Sequence, residues 1–200
     1  MRRIDGDADK MTDIRTQQLL YHLTDLENLE SILNTGLLPR NQLDRFHDIA
    51  DPEIIDHRRR HNLDSHVPFH WFARNPFDGR VQTDHPDKEF VLITVNRLFA
   101  ARQKWRIIPR HPLSNEELEL HDYEPGFNAI DWEVMNQRDY HDPECKSICM
   151  AECLSPRIVR PTDFAIIFVR NDEIKAIVWE MAQLRGLNIN VISNRHMFTR

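Results

Sequence analysis

Glycine is scarce in this chain, with five in 200 residues. Neither G-x-x-x-x-G-K-[ST] nor G-x-G-x-x-G is present, so neither of the two common glycine-rich phosphate cradles can be built. No G-x-S-x-G elbow is present either, which removes the hydrolases built on that strand-to-helix turn. Cysteine is equally sparse. Three thiols, an odd number, argue against a disulfide framework and for reduced side chains. No apolar run approaches the roughly 20 residues that a membrane helix needs. The stretch Met1 to Gln18 is charged and lacks the apolar segment of a signal peptide. These absences predict a cytoplasmic protein with no membrane association.

What remains is globular. Hydrophobic residues make up 40% and charged residues 29% of the chain, enough for one compact domain. Residues 1–16 read as a flexible leader and 17–200 as a single domain. The net charge of -6 disfavours indiscriminate binding to nucleic acid, but the charge is uneven. Between Glu116 and Glu144 a dense run of carboxylates is opposed by Arg138 alone, whereas Arg97 to His111 carries five cations and no acid. Arg58-Arg59-Arg60 forms a second basic knot. A polyanion can therefore find a local site on an acidic protein, or these runs are simply solvated faces.

Hydrophobic periodicity predicts strands over Leu19–Leu23, Val67–Phe72, Phe90–Val95, Trp105–Ile108, Met150–Leu154, Phe164–Val169 and Ile189–Ile192. Thr24 or Asp25 caps a first helix that Gly36 ends. Asn171 to Arg185 is the clearest helix, with Ile174, Ile177, Val178, Met181 and Leu184 on one face. Pro52 suits the first turn of a short helix within a polar 40–65 segment. Asn75-Pro76-Phe77-Asp78-Gly79 reads as a turn, and Ser114-Asn115-Glu116-Glu117 as a capping box. The sum is an α+β domain, a mixed sheet of six or seven strands with helices packed outside.

Metal sites are weak candidates. His141, Cys145, Cys149 and Cys153 recur every four residues, and on one helix face such ligands are strung along an axis rather than converging tetrahedrally. His57 and His61 share helical spacing, but Arg58 stands where a zinc protease places its glutamate. No metal is expected.

Six stretches, in order, resemble the DarT family of DNA ADP-ribosyltransferase toxins. Tyr21-His22-Leu23-Thr24 with Asn28-Leu29, Ile32-Leu33 and Gly36-Leu37 matches the family opening Y-H-x-T-x-x-x-N-L-x-x-I-L then G-L. Ile55 precedes the pair Arg58-Arg59. Val67-Pro68-Phe69 and Arg74-Asn75-Pro76 are similar to V-P-F-Y-F and R-S-P-M. Arg110-His111 stands for D-R-H. Asp131-Trp132-Glu133 precedes Tyr140-His141-Asp142-Pro143. Ala151-Glu152-x-Leu154 resembles A-E-F-L-V. Each match alone is weak, and the ordered set is specific. Four positions depart from the pattern: His70 replaces a tyrosine, Ala73 a proline, Phe77 a methionine, and Pro109 the aspartate before Arg-His.

The resemblance implies an ADP-ribosyltransferase fold and NAD⁺ as co-substrate. It implies a nucleobase as acceptor, in single-stranded DNA, because a duplex hides the ring nitrogens. Glu152 and Arg59 are the implied catalytic residues, with Arg58 the less favoured of the pair. The carboxylate would hydrogen-bond the ribose 2′-hydroxyl and stabilise the cation that forms at C1′. His22, Thr24, Asn28, Arg59 and Phe77 are the implied NAD⁺ contacts, and His70, Arg74, Arg110 and His111 the nucleic-acid contacts. Phe69, Trp71 and Trp105 are further stacking candidates or core. The resemblance also implies a toxin with a cognate antitoxin that reverses or blocks the mark. Competing readings are the same chemistry on RNA or on guanine, a silent NAD- or nucleic-acid-binding module, and a protein-modifying enzyme. The last is disfavoured because Met150 stands where such enzymes carry a second glutamate.

Overall fold

A computed structural model describes residues 13–43, 52–112 and 118–199. The first half of the chain forms β1 (Leu19–Asp25), α1 (Leu29–Thr35), α2 (Pro52–Arg60), β2 (Val67–His70), α3 (Pro76–Asp84), β3 (Phe90–Asn96), α4 (Arg97–Arg102) and β4 (Arg106–Ile108). The second half forms β5 (His121–Asp122), α5 (Tyr123–Ala129), α6 (Trp132–Gln137), α7 (Pro143–Ile148), β6 (Glu152–Ser155), β7 (Ile166–Val169), α8 (Asp172–Gln183) and β8 (Asn190–Ser193). The eight strands make one sheet in the order β5-β4-β6-β2-β1-β3-β7-β8. It is mixed, because β7 and β8 run parallel and the other pairs antiparallel. The α+β mixed sheet with outer helices expected from the sequence is the observed architecture.

The sheet is firm on its two sides and thin in the middle. β1 and β3 pair in register from Leu19↔Asn96 to Asp25↔Phe90, and β2 and β6 from Val67↔Ser155 to His70↔Glu152. The β1–β2 junction is registered at Tyr21↔His70 alone, so the two halves of the sheet separate beyond that pair.

Successive side chains alternate between faces. One face carries Leu20, Phe69, Val91, Ile93, Val95, Ile107 and Cys153 into the main core, where α1, α5, α6 and α7 pack. The other carries Tyr21, Leu23, Phe90, Leu92 and Phe168 against Val81 of α3 and Phe198. α5 lies close on the sheet: a Cβ on Gly126 would come within 2.6 Å of Ile107 Cβ. Gly36, at φ 91°, ends α1 in a conformation that favours glycine.

Several expectations need correction. The leader boundary at residue 16 falls inside packed structure: Ile14 is fully buried in a short 3-10 turn capped by Asp13. Residues 1–12, and the proposed capping box at Ser114-Asn115-Glu116-Glu117, lie outside the described residues. Asn75-Pro76-Phe77-Asp78-Gly79 opens α3 rather than forming a turn. Asn75 is the N-cap, its side chain accepting from Asp78 N at 3.0 Å, and Pro76 is the first helical residue. Asp25 caps a 3-10 turn over Leu26–Asn28 before α1 begins. On α8 the inward stripe is narrower than the periodicity suggests. Val178 and Ala182 are buried, while Ile177 and Leu184 are exposed. Cys145 and Cys149 lie at α7 and its C-cap and Cys153 on β6, all three free and buried. The side chain of His57 lies outside the described residues. Among those residues no group of His, Cys, Asp and Glu is arranged to hold a metal ion, and no helix is long and apolar enough to cross a membrane.

Candidate active site

A transverse row crosses the middle of the sheet on one face: Ile108 opposite Glu152, Glu152 opposite His70, His70 opposite Tyr21. Register partners in an antiparallel pair hold their Cβ atoms about 4.5–5.5 Å apart. Antiparallel pairing therefore brings Glu152 and His70, 82 positions apart in the chain, side by side.

Glu152 opens β6 and is buried. Arg58, from the last turn of α2, covers it. Arg58 Nη1 donates to Glu152 Oε1 at 2.9 Å and Oε2 at 2.6 Å, and Nη2 donates to the Leu63 carbonyl at 3.4 Å. Both side chains are buried, so the pair attracts strongly but has also lost its hydration. Burial alone would push the Glu152 carboxyl up. Arg58, His70 and His111 outweigh that and hold it below its ordinary value. The carboxylate is therefore charged at neutral pH. Ionised, it has more acceptor sites than Arg58 uses, so it can also accept from a ligand hydroxyl.

His70 is buried, and its ring stacks on Phe77 at 5.3 Å between centroids and 29° between planes. Burial lowers its pKa, opposed by the Glu152 charge and the Ala151 backbone and assisted by Arg58 and His111. Phe77 comes from the first turn of α3. The turn between β2 and α3 is held by side chains at successive backbone atoms. Arg97 Nη2 donates to Trp71 O at 2.7 Å, Asn75 Nδ2 to Phe72 O at 3.0 Å, and Tyr140 Oη to Arg74 O at 3.0 Å. Asp78 Oδ2 accepts from Arg74 N at 3.0 Å, which fixes Arg74 at a positive φ of 60°. Asp78 itself is buried without a cation among these contacts, and burial pushes its carboxyl up to about 7.

His22 lies where β1 and β2 separate. Its Nδ1 and the Pro68 carbonyl are 2.7 Å apart, and its ring lies 5.5 Å from that of Phe69. Burial brings its pKa down to about 4, so the ring is neutral and Nδ1 donates to Pro68, leaving Nε2 with a lone pair. Asn28 Nδ2 donates to the Thr24 hydroxyl at 3.3 Å, which ties those two residues one helical turn apart. Arg110 and His111 follow β4, and His111 N donates to Ser147 O at 2.8 Å.

Of the residues singled out from the sequence, the structure gathers Glu152, His70, Phe77 and His111 around one point, while His22 lies at the β1–β2 opening on the Phe69 side of the sheet, with Thr24 and Asn28 beyond it. Arg74 is exposed at the rim and Arg110 half-buried. Phe69, Trp71 and Trp105 are core side chains, which leaves His70 and Phe77 as the stacking pair. Arg59 is exposed, and its neighbour Arg58 holds the carboxylate. The helical repeat carried a signal for this. Arg58 follows both Ile54 and Ile55, at four and three residues, whereas Arg59 follows only Ile55 at such a spacing. Arg97, read as part of a target-binding basic run, points inward. Asp78 was not singled out, although an Asn-Pro cap followed by an acid in the first turn is a recognisable helix start.

A family model described as ssDNA thymidine ADP-ribosyltransferase, DarT, matches residues 21–199. The chain belongs to the DarT family. DarT of Thermus sp. 2.9, solved in complex with ADP-ribosylated ssDNA, is 18% identical and superposes with a TM-score of 0.79 over 90% of this chain and 96% of that one. The same protein in complex with NAD⁺ gives 16% identity and a TM-score of 0.75, covering 90% and 97%. DarTG of Thermosipho africanus, in complex with ADP-ribose, is 21% identical with a TM-score of 0.74, and the match covers 91% of this chain but 51% of that one. A search of curated protein sequences finds no match. The DarT resemblance read from the six ordered motifs is thus the family, and the DarT fold is shared across nearly the whole chain. Membership makes the protein an ADP-ribosyltransferase of a family that modifies thymidine in single-stranded DNA.

Proposed function

We propose that this chain transfers ADP-ribose from NAD⁺ to a thymine base of single-stranded DNA, with Glu152 and Arg58 as the catalytic pair and residues 13–199 acting as one domain. The observation that carries this reading is the buried Arg58–Glu152 ion pair at the point where the two halves of the sheet separate. Cleaving the nicotinamide–ribose bond leaves an oxocarbenium-like cation at C1′. A fixed, ionised carboxylate stabilises that charge and orients the ribose through its 2′-hydroxyl. Arg58 keeps Glu152 ionised and aimed. As a guanidinium it has only donors, so it also suits the pyrophosphate or a developing negative charge on the base.

His22, with Thr24 and Asn28 one turn on, is the proposed NAD⁺-holding segment, together with Phe77. His70, Arg74, Arg110 and His111 are the proposed DNA contacts. His70 and Phe77 offer stacking faces, and the cations suit phosphates. That the Thermus relative was solved with NAD⁺ and with ADP-ribosylated ssDNA supports both ligands. The DarTG relative, about twice as long, supports a cognate antitoxin that removes or blocks the mark. The chain then acts as the toxin of such a pair, in the cytoplasm where the DNA is.

The test is incubation of the protein, and of Glu152→Ala, with labelled NAD⁺ and single-stranded DNA or RNA oligonucleotides, read by mass spectrometry. The expected result is an ADP-ribose adduct on thymine, absent with the variant. An adduct confined to RNA or guanine would change the acceptor. No adduct from protein that binds NAD⁺ would overturn the reading in favour of a silent binding module or a protein modifier.

A further inference from the structure

His70 is the member of the site that packing explains least. Its Nδ1 is buried and has no hydrogen-bond partner. Buried polar atoms are nearly always paired, so an orphan needs a reason. The ring is constrained on several sides. Phe77 stacks on one face, and the backbone is held between Tyr21 and Glu152. His70 is as enclosed as Glu152, at 5% and 7% exposure, so an opening that admits a ribose to the carboxylate also admits a base to the imidazole.

The transfer proposed above needs such a group. Thymine has one ring N–H, at N3, because N1 carries the deoxyribose. N3 becomes a good nucleophile only as that proton leaves. Arg58 cannot take it, being a cation already donating to Glu152. His22 has its Nδ1 engaged by Pro68, and its place on the strand points it toward the Phe69 side of the sheet, away from the Glu152 row. His111, on the loop after β4, faces the same pair, but the buried imidazole nitrogen left without a partner among the described residues is that of His70.

We infer that His70 accepts the N3 proton of the target thymine through Nδ1, which makes it a further catalytic residue of the reaction. The N3–H bond breaks with its proton passing to Nδ1. The N3 electron pair forms the bond to C1′ of the ribose. The C1′–nicotinamide bond breaks with its pair returning to the pyridine nitrogen, so nicotinamide leaves neutral. The imidazolium, beside the Glu152 carboxylate, then releases its proton to solvent. The groups that face His70 are Glu152 from β6 with the backbone of Ala151 just before it, Arg58 from α2, Tyr21 from β1, and His111. Burial lowers its pKa despite Glu152, so at neutral pH the ring is in the neutral form that can accept.

This inference rests on the transfer reading, and the experiment separates the two. Steady-state transfer is measured for wild-type and His70→Gln on an oligonucleotide with one thymidine, and on the same oligonucleotide with 5-fluorodeoxyuridine, whose N3–H is more acidic. With thymidine, wild-type kcat should fall about tenfold per pH unit on an acid limb below the ordinary histidine value. His70→Gln should lose about 10²–10⁴-fold in kcat, the usual range for a general base. It should also lose the acid limb, bind NAD⁺ as wild-type does, and regain at least about tenfold with the fluorinated base, because a more acidic proton needs less help to leave. A merely structural role predicts equal losses on both oligonucleotides. Equal losses, wild-type kcat, or an unchanged acid limb in the variant would each overturn the inference alone. If His70→Gln does not fold, the wild-type acid limb decides, and its absence overturns the assignment. Wild-type protein that modifies neither oligonucleotide would sink the transfer reading and this inference together.

Discussion

Two arginines in this protein are buried to nearly the same degree, Arg97 at 6% exposure and Arg58 at 7%, yet the regions around them are built for different ends. Arg97, at the start of α4, meets backbone carbonyls: Leu19 at 3.1 Å, Ile14 at 2.7 Å, Arg15 at 3.2 Å and Trp71 at 2.7 Å. Its guanidinium lies over the rings of Trp71 and Trp132, at 4.9 and 5.9 Å. Burial brings its pKa down to about 10, so it stays a cation at neutral pH. The side chain ties the 13–16 turn, β1 and the exit of β2 into one unit. Arg58 meets a carboxylate instead. A carbonyl offers little beyond the bond it already makes, whereas a carboxylate can trade or add partners as ligands arrive. A buried cation satisfied by dipoles is thus a joint in the architecture. One satisfied by an opposite charge marks a place where chemistry can happen.

The comparison can be broken most decisively at Glu152. Glu152→Gln keeps the volume and one acceptor for Arg58 but removes the charge proposed to stabilise C1′. Transfer should fall by about 10³-fold in kcat with NAD⁺ binding retained. A variant with near-normal kcat would show that the pair is structural. Arg97→Met should do the reverse. It leaves several buried carbonyls unpaired, at about 1–3 kcal/mol each before relaxation. We expect a net loss of about 3 kcal/mol and a melting temperature lower by about 10 °C, with kcat at a permissive temperature close to wild-type. An Arg97→Met protein that melts normally but cannot transfer would erase the distinction.

Asp78 sharpens the contrast through pH. It is an anion-forming group in the architectural region, buried with no cation among its contacts, holding Arg74 N. Its carboxyl is raised from 3.8 to about 7 in the folded chain, so between these values the folded state binds more protons than the unfolded one. Stability must then fall as pH rises through that window. From pH 5 to pH 8 the loss should be about 3 kcal/mol. Asp78→Asn, which cannot ionise, should flatten that part of the stability profile in chemical denaturation. An unchanged slope would mean that the carboxylate is solvated in the fold.

The sequence made the strands legible where an apolar pattern met a clear boundary, as in β1, β3 and β7, and it made Glu152 legible through its motif. It misled where one pattern serves two structures. Asn75-Pro76 suits a turn and a helix start equally, and the choice fell to the helix because Asn75 Oδ1 accepts from Asp78 N while Asp78 Oδ2 accepts from Arg74 N. The basic run from Arg97 to Arg110 looked like one surface. Its members diverge because the carbonyls that accept from Arg97 come from as far as 83 residues away. Arg106, meanwhile, binds the carbonyls of Leu120 and His121 across the β4–β5 pair. Local charge density holds no information about such distant acceptors.

The smallest expected effect is also the one that localises the chemistry. Arg58 and Arg59 are adjacent in sequence, but consecutive residues on a helix point about 100° apart, so α2 can bury only one of them against β6. Arg58→Ala leaves the Glu152 carboxylate buried without its counter-charge, and its pKa should rise because burial is then opposed by His70 and His111 alone among the named groups. Transfer should fall by about 10²-fold and become steeply pH-dependent on the acid side, as the carboxylate protonates. Arg59 is exposed and its removal leaves that ion pair intact, so Arg59→Ala should change kcat by no more than about twofold, with its effect confined to a weaker salt dependence of DNA binding. Both variants measured over pH and salt decide between the neighbours. A collapse of kcat in Arg59→Ala with Arg58→Ala near wild-type would move the catalytic guanidinium one residue along. It would also require α2 to turn when substrate binds.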